Sequence, residues 1–147
     1  KEWAMEVAGI DMTKVTLPSK LMTPDPPIIN DAFLTGLGDN YSRISFEDKE
    51  RIMHSHGHTL QEIWLLRSGK FARIADVIIY PVSTAQVELI VKLANEHNVV
   101  IIPYGGGTNV TKALMLDANE KRMIVSLDMT RMSQIISIDK ENMTVTV

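Results

Sequence analysis

The sequence predicts an α+β fold. A helical and extended segment over residues 1–70 precedes a β-α-β unit with further strands over residues 71–147. Three observations predict it. An apolar, β-branched run, Val99-Val100-Ile101-Ile102-Pro103-Tyr104, ends on Gly105-Gly106-Gly107, the pattern of a strand that stops at a tight turn. A stretch of helical spacing separates that run from an earlier one, Asp76-Val77-Ile78-Ile79-Tyr80-Pro81. The first part of the chain shows neither pattern at length, and Pro24, Pro26 and Pro27 cut it into short pieces.

The elements follow in order. Residues 1–39, rich in proline, glycine and aspartate, are expected to run as extended segments and short helical turns laid on a larger body. Asn30 is placed to cap a short helix through Asp31, Ala32, Phe33 and Leu34, because its side-chain oxygen can take an orphan N–H of the first turn. Ser45 is expected to cap a second helix through Glu47, Lys49 and Arg51, with Ile52 inward. Thr59 caps a third over residues 60–67, with Leu60, Ile63, Trp64 and Arg67 along one side and Gly69 at its end. After the strand that stops at Pro81, Ser83 or Thr84 opens a helix to about residue 97, with Val87, Ile90, Val91 and Ala94 at helical spacing and Asn98 closing it. The strand from Val99 is expected to be buried on both faces. Arg122-Met123-Ile124-Val125-Ser126-Leu127-Asp128-Met129 reads as a further strand. Two runs, Ile135-Ile136-Ser137-Ile138-Asp139 and Met143-Thr144-Val145-Thr146-Val147, flank the turn Lys140-Glu141-Asn142 as a hairpin. No internal repeat or low-complexity segment is present.

Composition bounds the partners. Hydrophobic residues make up 45% of 147 positions, enough to fill one core. A net charge of −3 argues against nucleic acid. With no cysteine there is no disulfide or thiol chemistry. No apolar run approaches the roughly 20 residues that span a bilayer. The chain opens on Lys1 and stops at Val147 inside a strand-like alternation, which suggests a piece of a longer protein, since an end there leaves an edge unpaired.

The glycine triplet is the candidate site. Without Cβ atoms the main chain can turn sharply and approach another molecule, and successive N–H groups can form a concave anion site. Thr108 and Asn109 add side-chain donors. The natural guest is a phosphate or pyrophosphate, held by Pro103, Tyr104, Gly105, Gly106, Gly107, Thr108 and Asn109. The loop has neither the Lys-Ser/Thr ending of a P-loop nor the spacing of the Rossmann turn. The plainer reading is a mobile connection between two elements.

Other residues also admit two readings. His54, His56 and His58 alternate as ligands on one strand face would. With no carboxylate alongside and Gly57 among them, they are read as hydrogen-bonded packing residues. Trp3 and Trp64 are read as buried anchors rather than ligand-stacking rings. Met115, Met123, Met129 and Met132 are read as core filler rather than the lining of a lipid tunnel. Arg122 and Arg131 are read as surface residues rather than phosphate ligands, and residues 117–121 as a solvated loop.

Residues 76–109 resemble the start of the FAD-binding domain of vanillyl-alcohol-oxidase, or PCMH-type, flavoproteins. Four stretches bring the resemblance closer, to the alkyldihydroxyacetonephosphate synthases. They are Leu17-Pro18-Ser19-Lys20-Leu21-Met22-Thr23-Pro24-Asp25-Pro26-Pro27, His56-Gly57-His58-Thr59-Leu60-Gln61-Glu62-Ile63-Trp64-Leu65-Leu66-Arg67, Arg73-Ile74-Ala75-Asp76 and the glycine loop. The likeness covers essentially the whole chain, and its first two stretches lie outside the generic FAD domain. Two positions depart from the family pattern. Asn109 stands where a serine is usual and keeps a side-chain donor. Ala75 stands where proline is expected, a change that should loosen the approach to the strand and little else.

The resemblance implies the first part of a PCMH-type FAD-binding domain, with FAD as cofactor and its pyrophosphate in the loop of residues 103–109. It implies exchange of the acyl chain of acyl-dihydroxyacetone phosphate for a fatty alcohol, giving the alkyl ether and a fatty acid without net redox. It implies a peroxisomal protein, and leaves homodimerisation and peripheral membrane contact open. The family's catalytic histidines lie near its carboxyl terminus, so no residue here is assigned a catalytic or metal role. Two alternatives remain at this point: a redox FAD oxidoreductase of the same superfamily, of 2-hydroxy-acid dehydrogenase or alcohol oxidase type, and a non-catalytic phosphate-binding module.

Overall fold

The computed structural model describes residues 2–9, 11, 13–15, 17 and 22–147. Lys1 and, within the proline-rich stretch, Pro18, Ser19, Lys20 and Leu21 lie outside the described residues. The elements in chain order are α1 (Glu2–Ala8), α2 (Asp31–Leu37), β1 (Arg43–Ser45), α3 (Asp48–Met53), α4 (Leu60–Ser68), β2 (Val77–Tyr80), α5 (Thr84–Glu96), β3 (Val100–Tyr104), β4 (Ile124–Asp128), a short 3-10 turn (Met129–Arg131), β5 (Ser137–Asp139) and β6 (Thr144–Thr146).

Local chemistry sets the helix ends. The Asn30 side chain accepts the Phe33 N–H and opens α2, and Ser83 does the same for α5 through Gln86. Thr59 and Glu62 form a reciprocal capping box on α4, which Gly69 ends. One expected cap is placed differently. Ser45 is the last residue of β1, and its hydroxyl accepts the Glu47 N–H at 3.3 Å. The helix starts only at Asp48 because a strand paired with β2 occupies the residues before it.

Four strands form one sheet in the order β1-β2-β4-β3. β1 is antiparallel to β2, while β2, β4 and β3 run parallel. The expected β-α-β unit is present, but β4 lies between its two strands. This corrects the reading of β3 as doubly buried. β2 and β4 are buried along their whole length, whereas β3 is an edge strand with Pro103 exposed. An edge tolerates a proline that has no N–H for a ladder.

The two sheet faces carry separate cores. Val77, Ile79, Val125 and Leu127 face α5 and α2, where Ile90 and Phe33 are fully buried. Ile78, Tyr80 and Ile124 face the other way, with Ala75 among them. The first part of the chain is tied to the sheet by Asp76, which is fully buried. Its carboxylate accepts the Ile28 N–H at 2.8 Å and the Ile124 N–H at 2.7 Å, and pairs with Arg73 at 2.5 Å. Arg51, buried on α3, donates to the carbonyls of Ala75 and Asp25, at 2.9 Å each. β5 and β6 form the expected hairpin, a separate two-stranded sheet with its side chains exposed.

Several side chains differ from expectation. Trp3 is 73% and Trp64 57% exposed, so neither is a buried anchor. The reason at Trp64 lies in α4. Its inward position is taken by Glu62, fully buried because its carboxylate accepts from Gly57 N–H at 2.8 Å and from Thr59. The helix therefore turns Leu60 and Trp64 outward, and the Lys70 ammonium lies 5.4 Å from the Trp64 ring centre. Met123 is core filler and accepts the Asn30 N–H on its sulfur, whereas Met115 is exposed. Arg122 is paired with Glu120, and Arg131 donates to the Ser42 hydroxyl.

Candidate functional site

β3 delivers the glycine triplet to the carboxyl end of the parallel strands, the end at which ligands of open α/β sheets gather. The three glycines are not equivalent. Gly107 has φ +66°, and a Cβ there would lie 2.5 Å from the Tyr104 hydroxyl. Tyr104 therefore tucks its phenol under the arch, and only glycine closes over it. A Cβ at Gly105 would meet nothing within 4 Å, and at Gly106 only Thr108 Cγ2, at 3.7 Å. Packing within the protein does not demand glycine at those two positions. What glycine leaves there is exposed, bare main chain, which suits close approach by a phosphate group.

The arch is held at both ends by residues 54–58, about fifty positions earlier in the chain. At its start, the His54 ring lies against Tyr104, with ring centres 4.1 Å apart. At its finish, His58 N–H donates to the Asn109 carbonyl at 2.8 Å, and Gly57 packs so tightly that a Cβ would fall 2.5 Å from that oxygen. Asn109 Oδ1 accepts the Ala113 N–H at 3.1 Å, which orients its amide. The three histidines do not share a strand face. His54 closes α3, His56 is buried with its ring stacked on Phe71, and His58 is exposed. Among the described residues no group of three metal-ligating side chains occurs.

Charge is concentrated beside the arch. Tyr80, at the end of β2, donates to Glu50 at 3.0 Å. Burial, then that carboxylate, pushes the Tyr80 phenol up to about 12. Burial opposes ionisation of Glu50, but bonds from Arg43, Ser45 and Tyr80 outweigh it and hold the carboxyl below its ordinary value. Burial, then Asp128, raises the Tyr104 phenol. Asp128 ends β4, with Oδ1 on Thr130 and Oδ2 on His54. Ala75 also has a consequence here. Its N–H donates to the Ser55 hydroxyl at 2.8 Å, a bond proline cannot make, so the change does more than loosen the chain.

The structure thus places residues 103–109 together as one arch. It adds His54, Gly57, Tyr80 and Asp128 beside or beneath it, which the sequence reading did not. The only signal for them was Gly57 interrupting the histidines. The arrangement can bind and orient an anion. Among the described residues it holds no nucleophile paired with a base, and the bare peptides at Gly105 and Gly106 suit a phosphate-bearing group such as that of FAD.

The FAD binding domain family matches residues 75–147. The chain is 38% identical over 146 residues to an alkyldihydroxyacetonephosphate synthase of Caenorhabditis elegans, across 98% of this chain and 24% of that protein. It is 35% identical over 120 residues to the corresponding protein of Trypanosoma brucei brucei, across 80% of this chain and 20% of that one. A solved alkyldihydroxyacetonephosphate synthase structure superposes with a TM-score of 0.81 at 32% identity, covering 88% of this chain and 25% of that one. Residues 75–147 belong to the FAD binding domain family, and along nearly its whole length the chain is homologous to the alkyldihydroxyacetonephosphate synthases. It spans about a quarter of the length of these relatives.

Proposed function

We propose that the chain supplies the pyrophosphate-binding part of an FAD-dependent ether-lipid synthase. The carrying observation is the arch whose peptides at Gly105 and Gly106 are bare for no internal reason. Pro103 and Tyr104 bring it off β3, Gly105, Gly106 and Gly107 present N–H groups, and Thr108 and Asn109 add side chains at its far end. When bound, FAD supplies a flavin ring for an exchange that involves no net redox. This chain's residues fix one end of that cofactor and thereby its reach into the rest of the protein. The whole protein's reaction is acyl-dihydroxyacetone phosphate plus a fatty alcohol giving alkyl-dihydroxyacetone phosphate plus a fatty acid. The likeness to the synthases runs through residues outside the FAD-binding match, which favours this reaction over a redox one. By the same likeness we take the compartment to be the peroxisome.

The test is Gly106→Val in the full-length protein. A branched side chain there fills the pyrophosphate's space without disturbing a protein neighbour. Purified variant should lose FAD and ether product while its FAD-free unfolding temperature stays at the wild-type value. Normal flavin content would sink the cradle, and redox turnover of a 2-hydroxy acid in place of ether product would sink the synthase reading.

A further inference from the structure

The loop's support contains a titratable link. His54 Nδ1 lies 2.8 Å from the Glu50 carbonyl and Nε2 2.8 Å from Asp128 Oδ2. A carbonyl only accepts, and so does an ionised carboxylate, whereas a neutral imidazole has a single N–H. Both bonds together need both ring nitrogens protonated. The pair is enclosed, with side chains 10% and 5% exposed. The ring so held is the one against Tyr104, and Tyr104 sits under Gly107. Each link from Asp128 through His54 and Tyr104 to the arch is a direct contact.

We propose that His54 is a positioning residue for the cofactor loop. As an imidazolium bridging Asp128 and the Glu50 carbonyl it seats Tyr104, and Tyr104 shapes the arch that takes the pyrophosphate. This inference rests on the FAD reading above. The other charged groups around His54 have partners of their own. From α3, the Glu50 carboxylate is occupied by Arg43 of β1 and by the Tyr80 hydroxyl. From β2, Tyr80 stands edge-on at 6.1 Å, with Arg43 and Arg131 over its ring at 5.1 Å and 5.5 Å. From β4, Asp128 gives its other oxygen to the Thr130 N–H and hydroxyl. From β3, Tyr104 is a phenol that burial keeps protonated. Loss of the His54 proton removes one of its two bonds, sets a lone pair against an acceptor and frees the ring beneath the arch.

The test is FAD affinity of the full-length protein from about pH 6 to about pH 9, read by flavin fluorescence, for wild type, His54→Arg and His54→Gln. Wild-type affinity should fall by about tenfold toward the basic end as the charge-assisted bond is lost. His54→Arg keeps a permanent cation and should hold the acid-side affinity at both ends. His54→Gln should show the weak, basic-side affinity throughout. In FAD-free protein, imidazole nitrogen resonances should report two protonated nitrogens on His54 at the acid end. A flat wild-type profile with FAD bound, an undiminished slope in His54→Arg, or a singly protonated ring at acid pH overturns the latch and leaves the cofactor reading standing. Failure to bind FAD at every pH overturns both.

Discussion

Gly105, Gly106 and Gly107 look alike in sequence, yet their replacements have different consequences. Gly107 combines φ +66° with a hydroxyl where its Cβ would go. Gly107→Ala should therefore destabilise the FAD-free protein by about 1–2 kcal/mol. Gly106→Ala should leave FAD-free stability unchanged. Thermal unfolding without flavin separates the two, and equal losses would show that the arch has no left-handed residue at 107. Tyr80 makes a prediction in pH. Its phenol is pushed up to about 12 in the folded chain, above about 10 for an unfolded tyrosine. Between those values the folded state holds the extra proton. Stability is thus full below about pH 10 and falls as pH rises toward 12. Ultraviolet titration of the three tyrosines should show late titration from Tyr80 and Tyr104, and Tyr80→Phe should remove the Tyr80 part of it. If every phenol titrates near the ordinary value, the burial and the Glu50 bond are wrong.

Elements meet through small polar joints. Ser55, just after α3, accepts the Ala75 N–H and donates to the Arg51 carbonyl at 2.6 Å, joining that helix to the approach of β2. Ala75→Pro should cost about 1 kcal/mol, and so should Ser55→Ala, because each breaks the same bond. The double variant should lose less than the sum, as residues that share a bond are not additive. Full additivity in denaturant unfolding would place the bond elsewhere. The helix starts that were legible in sequence, those of α2, α4 and α5, have caps within three residues of what they cap, whereas α3 was legible as a helix but not in its start, which has no side-chain cap. The order of the strands was not legible. β4 takes the central place because it can bury both faces, and that depends on what packs above and below. β1 is three residues long and carries no periodic signal. The arch residues were legible from their glycines alone. Their supports were not, since His54 and Gly57 reach the arch from far along the chain and act through ring stacking and close approach rather than a motif.

At the scale of the whole molecule, the first seventy residues are built into the cofactor fold. β1 extends the sheet, α2 covers α5, and the turn between α3 and α4 underlies the glycine arch. That segment and the glycine arch are thus packed against one another, and the synthase likeness extends through both. The exposed hairpin of β5 and β6 stands apart from this joint structure. The most direct measurement is amide hydrogen exchange of the full-length protein with and without FAD. FAD should slow exchange at residues 105–109, where bare N–H groups would meet the pyrophosphate. FAD bound at stoichiometric level with no slowing at those amides would contradict it.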